Sequence, residues 1–291
     1  MKTVFIIGQH RTGSTLLRNM LHAHSDVSMA FDEMNLFEPF RKNTLDRLLH
    51  KSKMSGNRVM ELISAGFVYG TFWKQFLKSG ISLVELKMRL NTYNKVSADI
   101  VVKSVLDILH ETEGTQYVGV KYPLHISRAA TLRDWFPGSK VIFITRNPKA
   151  IIASKLNDPA TKIRKKKSFF HRFGIHYFTL LYFCFEFKKS VSIYFSNKNH
   201  LHLVSYEALV SRKQNVLTSI CDFCGIGFED GMMCVSGKQS SFLSQKDFSP
   251  AIETRNPDEY KRRLSRFDLW LIGVLTDKSF KKLKDEYSTN L

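Results

Sequence analysis

Cysteine is scarce in this chain: four residues in 291, with only Cys221 and Cys224 at C-x-x-C spacing. There is no second pair to complete a zinc ribbon and too few thiols for a disulfide framework, so a reducing compartment is expected. Long apolar runs are also missing. The opening MKTVFIIGQHRTG passes into Gln9, His10 and Arg11 too soon for a signal-peptide core and offers no small-residue cleavage site, so nothing directs export and a cytoplasmic protein is expected. Acid is in short supply: 26 Asp plus Glu stand against 44 Lys plus Arg, a formal charge of 44 − 26 = +18. No internal repeat or low-complexity linker divides the chain. With 43% hydrophobic and 24% charged residues, the composition excludes disordered, collagen-like and coiled-coil classes. What remains is a globular protein with a core to bury and an excess of cations.

The cations are concentrated. Between Thr161 and Arg172 stand Lys162, Arg164, Lys165, Lys166, Lys167 and Arg172, with no acid among them. Such density suits an anionic ligand or surface, the alternative being a solvated loop that keeps the protein soluble. Directly after it comes Phe173 to Phe185, FGIHYFTLLYFCF, rich in aromatics. It falls short of the roughly 20 residues of a membrane span. It reads either as a buried helix or as a segment lying in a bilayer interface beside the basic run, which would give a peripheral contact with an anionic membrane.

Apolar strand patterns appear at Thr3–Ile7, Tyr117–Val120, Val141–Thr145 and Leu201–Ser205. Helical periodicity follows the first, from Ser14 to about His24 with Leu16, Leu17, Met20 and Leu21 as its apolar face, and recurs from about Ser127 to Trp135, ended by Pro137 and Gly138. Strands alternating with helices predict an α/β fold with a mostly parallel central sheet flanked by helices. From Leu36 to Glu113 the pattern is helical with few strand signals, so an insertion or cap on the α/β core is expected there. Further charged helices are expected from Asp258 to Tyr287.

The segment Gly8-Gln9-His10-Arg11-Thr12-Gly13-Ser14-Thr15 follows the first strand and opens a helix. It has the G-x-x-x-x-G spacing of a phosphate-binding loop, but Ser14 stands where a nucleotide kinase requires Lys. A kinase needs that Lys and a hydroxyl-held Mg²⁺ to neutralise a highly charged phosphate pair. A singly charged terminal sulfuryl group asks for less: helix N-terminal N–H groups, hydroxyls and one basic residue, here Arg11, suffice without a metal. Taken alone, the loop could equally be an ordinary strand-to-helix turn. A second feature adds to it: Val141 to Pro148 puts Arg146 at the carboxyl end of another strand, where open α/β sheets bind ligands. If Pro148 opens the next helix, Ser154 lies on its second turn and faces the same anion.

At these residues the sequence resembles the sulfotransferases that use 3′-phosphoadenosine-5′-phosphosulfate (PAPS). Arg11 to Leu17 resembles their 5′-phosphosulfate loop; Arg146 with Ser154 resembles their 3′-phosphate motif. The likeness continues through Gly119-Val120-Lys121-Tyr122-Pro123, the Trp135-Phe136-Pro137 step and Val204 to Leu209. It covers residues 1–35 and 117–225, leaving 36–116 unmatched, and its spacing is nearer the bacterial, carbohydrate and tyrosylprotein branches than the cytosolic small-phenol enzymes. Asn147 departs from a frequent Asp, and Ser236-Gly237-Lys238 matches a late basic-Gly segment only loosely.

The resemblance implies a P-loop-like three-layer fold, a single sulfotransferase domain over 1–291 with a helical acceptor-side insertion at about 36–116, and transfer of a sulfuryl group from PAPS to an acceptor hydroxyl without a metal. It assigns Arg11, Thr12, Gly13, Ser14, Thr15, Arg146, Ser154 and Tyr206 to the donor, and Arg11 and Lys121 to the charge that grows on the bridging oxygen. The base that takes the acceptor's proton is Glu33, with Asp32 as close rival and His125 as the alternative on the pattern of the cytosolic enzymes. Either carboxylate could instead cap a helix, and Tyr206 could merely pack. Cys221 and Cys224 read as buried thiols. The expected acceptor is a carbohydrate or lipid-linked glycan, favoured over a protein tyrosine because entry signals for a secretory lumen are lacking. Two readings compete: a P-loop kinase, weakened by the missing Lys, and a non-catalytic basic protein binding membrane or nucleic acid, which leaves both motifs unexplained. No nucleic-acid partner is expected.

Overall fold

The computed structural model describes residues 1–30, 33–37, 41–51, 54–76, 83–123, 125–157, 169–234 and 258–289. Its centre is β1 (Lys2–Gly8), in which Phe5, Ile6 and Ile7 are completely buried. A continuous apolar run is what a strand covered on both faces requires. β1 is paired on both edges, with β3 (Tyr117–Pro123) and β4 (Lys140–Thr145); β2 (Val27–Met29) lies outside β3 and β5 (Leu201–Ser205) outside β4. The order is β2-β3-β1-β4-β5, and every pairing is parallel. The predicted parallel sheet is therefore observed. β2 is an addition, since three residues are too few for a period-2 pattern to register and the sequence there reads as a turn.

Successive side chains of β1 feed two cores, as the alternation of a strand demands. Val4 and Ile6 pack with Leu17, Met20 and Leu21 of α1 (Ser14–His22), with Leu209 of α10 (Tyr206–Ser211), and with Leu217, Ile220 and Cys221 of α11 (Lys213–Cys224). Phe5 and Ile7 face the other layer, which holds α7 (Ala129–Trp135), α8 (Pro148–Leu156), α9 (Phe169–Asn197) and, after the short α12 (Tyr260–Arg263), the last helix α13 (Arg266–Thr289). The same core takes in the helices between β2 and β3: α2 (Leu45–Lys51), α3 (Gly56–Ser64), α4 (Thr71–Phe76), α5 (Leu83–Asn91) and α6 (Ala98–Glu113). Helix, sheet, helix is the three-layer arrangement expected. Buried Trp73 anchors the α2–α6 group by donating its indole N–H to the Met34 carbonyl at 2.9 Å.

α1 ends at His22, short of the His24 anticipated. The His24 ring explains the stop: its Nδ1 accepts from the Asp26 backbone N–H at 3.0 Å and its Nε2 meets the Gly227 carbonyl at 2.7 Å, which turns the chain toward β2. α9 has the buried face that the first of the two readings of the aromatic stretch requires, and an exposed face besides. Leu180, Phe183, Cys184, Phe187, Val191 and Tyr194 form its buried stripe, and Tyr194 stacks on Phe143 of β4 with ring centroids 5.3 Å apart. Phe178, Leu181 and Phe185 point outward. Among the described residues no helix is long and apolar enough to cross a membrane. The basic run at 161–168 lies outside the described residues.

β5 is an edge strand whose His202 is stacked on Phe223 of α11, ring centroids 4.9 Å apart, with Ser219 Oγ 3.5 Å from its Nε2. Burial pushes this imidazole down to about 4. Between the ordinary His value of about 6.5 and that folded value, the unfolded chain holds a proton that the folded chain refuses, so stability falls as pH is lowered through the window. Chemical denaturation at stepped pH should show this loss between pH 6.5 and 4, at most about 1.4 kcal/mol per unit from this group. His202→Gln should flatten the slope across that window.

Candidate active site

In the parallel register, Gly8 lies opposite Pro123 on one side and Ile144 on the other. The loop that leaves β1 therefore emerges between the carboxyl ends of β3 and β4, where Lys121 and Arg146 are carried. Gly8 is required by the close approach: a Cβ there would lie 2.4 Å from the Ile144 carbonyl oxygen. The loop then turns through Arg11, whose φ of 71° is left-handed, and Gly13, whose φ of 90° sets the N-cap of α1. Thr12 is buried and braces the turn by donating its hydroxyl to the Gln9 carbonyl at 2.8 Å. The N–H groups of the first turn of α1 point out of the helix at this end, the arrangement through which helix N-termini attract anions.

Cations close around that end. Arg11 Nε donates to Ser154 Oγ of α8 at 2.9 Å. Arg146 donates to the Arg11 carbonyl at 3.2 Å, and its guanidinium lies 4.2 Å from the centroid of the Tyr206 ring. That ring covers Gly13 so closely that a Cβ would stand 2.3 Å from Tyr206 Cδ2. Lys121 Nζ donates to Thr15 Oγ1 at 2.9 Å and pairs with Glu33 Oε1 at 2.7 Å, with both side chains buried. A buried ammonium is tolerable when it is both paired and hydrogen-bonded, and Lys121 is.

α8 opens as the sequence suggests, with Pro148 at its first position, and Asn147 serves as its cap by accepting from the Lys149 backbone N–H at 2.9 Å. The departure from Asp is accounted for here, since Asn caps a helix equally well. The Asn147 backbone N–H donates to Glu207 Oε1 at 2.9 Å, and Ser205 Oγ donates to Glu207 Oε2 at 3.0 Å, so one carboxylate ties the ends of β4 and β5 together.

The structure thus brings Arg11, Thr12, Gly13, Ser14, Thr15, Glu33, Lys121, Arg146, Ser154 and Tyr206 to one end of the sheet. Asp32 lies outside the described residues, as does the segment holding Ser236, Gly237 and Lys238. His125 opens a 3₁₀ turn (His125–Arg128) just past β3, and its side chain lies outside the described residues. The sequence reading passed over His10. Burial, followed by the field of Lys155, Lys121 and Arg11, holds this imidazole below its ordinary value against the opposing pull of Glu33. No spacing pattern marks His10, because all but one of those neighbours arrive from other elements. Among the described residues no three His, Cys, Asp or Glu side chains gather as metal ligands.

A model of the sulfotransferase family matches residues 3–230, the span that holds all of these residues. The chain belongs to the sulfotransferase family. Its fold agrees with three solved sulfotransferases. The sulfotransferase domain from the curacin biosynthetic pathway is 20% identical, with a TM-score of 0.59 over 94% of this chain and 96% of that one. The sulfotransferase domain of the Synechococcus PCC 7002 olefin synthase is 17% identical, with a TM-score of 0.51 over 94% and 93%. A sulfotransferase from Mycobacterium avium is 12% identical, with a TM-score of 0.50 over 97% and 76%. No curated protein matches this sulfotransferase in sequence. The enzyme class and the P-loop-like fold expected from the motifs are both observed.

The contact between Gly13 and Tyr206 can be tested on stability alone. Gly13→Ala should lower the thermal midpoint, because a methyl both meets the ring and must adopt a left-handed φ that costs roughly 1–2 kcal/mol. Gly13→Ala combined with Tyr206→Ala should recover the steric part of the excess loss and leave the backbone part. A Gly13→Ala midpoint equal to that of the parent would show the loop to be free of the ring.

Proposed function

We propose that this sulfotransferase transfers a sulfuryl group from PAPS to the hydroxyl of a carbohydrate or lipid-linked glycan. The observation that carries the reading is the position of Lys121, whose ammonium touches Thr15 of the donor loop and the Glu33 carboxylate at once. The residues present suit such a donor: the start of α1, whose first turn holds no acid, and two arginines beside it, Arg11 and Arg146. When bound, PAPS supplies an activated sulfuryl group and a nucleotide phosphate as leaving group.

In this reading Thr12, Gly13, Ser14 and Thr15 hold the 5′ end, while Arg146, Ser154 and Tyr206 hold the 3′ end. Glu33 accepts the proton of the acceptor hydroxyl as its oxygen bonds to sulfur. Arg11 and Lys121 meet the charge left on the bridging oxygen as the old sulfur–oxygen bond breaks. His10, kept neutral by burial, stands beside Glu33 without adding a second positive charge to it. The chain works as a single domain over 1–291, with the acceptor recognised by the helical segment 36–116. Four free thiols, Cys184, Cys221, Cys224 and Cys234, suit a reducing compartment. The missing Lys at Ser14 speaks against a kinase and for Mg²⁺-independent binding.

Calorimetry should find tight binding of 3′-phosphoadenosine-5′-phosphate in the presence of a chelator and weak binding of ATP with Mg²⁺. Arg146→Ala should weaken the former by about 1.5–3 kcal/mol, the value of a charge-assisted bond. The reverse preference, Mg²⁺-dependent ATP binding alone, would overturn the donor assignment.

Glu33→Gln should cut single-turnover sulfuryl transfer by about 10²- to 10⁴-fold while leaving nucleotide affinity intact. Gln keeps a partner for Lys121 but cannot take a proton. Asp32→Asn is the paired control and should lose less. A larger loss in the Asp32 variant would exchange their roles, and near-normal rates in both would assign the base to His125 or to the 36–116 segment.

A further inference from the structure

The outward faces of α9 and α13 carry large apolar groups that no neighbouring element among the described residues covers. On α9 these are Phe178, 71% exposed, with Leu181 and Phe185; on α13 they are Phe267, Trp270, 60% exposed, and Val274. The spacing within each set, three or four residues, places each on one helix face. Ring contacts join the two rows: Phe173 lies 4.6 Å from Tyr177, Tyr177 6.0 Å from Phe267, and Phe267 5.6 Å from Trp270. An aromatic patch shared by two parallel-running helices is not scattered surface exposure, and patches of this kind mark interaction sites.

The rim of the patch is basic. α12 and the start of α13 present Lys261, Arg262, Arg263 and Arg266 to solvent; Lys261 pairs with Asp258 at 2.8 Å and Arg263 with Glu259, which leaves Arg262 and Arg266 as the cations outside those two pairs. In the chain, the basic run that starts at Lys162 ends at Arg172, in the first turn of α9. Asp268, beside the aromatic chain, is buried and paired with His176 at 3.0 Å. A second copy of the protein would bring these like charges against each other across a two-fold interface. A bilayer with anionic headgroups complements them, and Trp, Tyr and Phe beside Lys and Arg are the side chains that settle at such a boundary.

We propose that the α9/α13 aromatic face docks peripherally on an anionic lipid bilayer, with Trp270 and Phe178 entering the interface and Arg262 and Arg266 meeting the headgroups. α9 packs on α8, the helix whose Ser154 bonds Arg11, so docking holds the donor loop one helix layer from the lipid surface. A lipid-borne acceptor hydroxyl would be presented at that surface. The inference stands apart from the donor reading, since vesicle binding and nucleotide binding are measured separately.

Flotation of the full chain with phosphatidylcholine vesicles, with and without phosphatidylglycerol, is the test. Binding is expected only with phosphatidylglycerol at low salt, and it should fall as salt rises. Of the three tryptophans, Trp73 is fully buried and Trp270 largely exposed, so a blue shift in emission on vesicle binding should vanish in Trp270→Phe. The double variant Phe178→Glu with Trp270→Glu should lose vesicle affinity by at least about tenfold while binding 3′-phosphoadenosine-5′-phosphate as the parent does. No flotation of the parent even at low salt overturns the proposal, as does flotation of the double variant equal to that of the parent. A parent dimer in sedimentation that the double variant abolishes, without vesicle binding, likewise overturns it and makes this face a contact between copies.

Discussion

The pairing of β1 on both edges fixes everything at the ligand end of this molecule. Because β3 and β4 run parallel to β1 and in register with it, Lys121 and Arg146 arrive on either side of the loop that follows Gly8. The loop has no freedom to leave the sheet elsewhere: Gly8 touches the β4 backbone, and the loop is braced internally by the Thr12 hydroxyl. A helix N-terminus with cations on both sides follows from strand register, before any side chain chooses a rotamer. Burial of β1 on both faces then makes that register costly to change, since a shift would break hydrogen bonds on two edges and unseat two cores.

Charge is distributed unevenly across this arrangement. Arg11, Lys121, Arg146 and Lys155 all approach the loop, and within the described site one carboxylate, Glu33, enters among them. Glu33 is placed by Lys121, and Lys121 in turn is steadied by Thr15, so the carboxylate stands where the loop ends. The imidazole of His10 sits in the same field, and desolvation outweighs the pull of Glu33 in keeping it uncharged. Cations and a single acid are what a reaction that moves an anionic group onto a hydroxyl calls for.

Much of this was legible in the sequence because its signals are local. Apolar runs announce β1, β3, β4 and β5, and the loop and Arg146 with Ser154 announce themselves by spacing. What was not legible depends on contacts between distant segments. Three-residue β2 exists through its pairing with β3. His10 matters through neighbours that β3, α8 and the segment after β2 bring to it. Tyr206 looked like either packing or a ligand contact, and it packs, on Gly13 and beneath Arg146, at the site itself. The aromatic stretch of α9 offered two readings because a helix has two faces, and composition cannot say which residues face which way.

The Glu207 carboxylate bonds both the Asn147 N–H and the Ser205 hydroxyl, and so locks the ends of β4 and β5 to each other. Arg146 precedes Asn147 and Tyr206 follows Ser205, so the stacked pair over the loop moves as one rigid piece with the strands below it. The same tie makes the two strand ends interdependent: a substitution at either Asn147 or Ser205 disturbs the anchor shared by Arg146 and Tyr206.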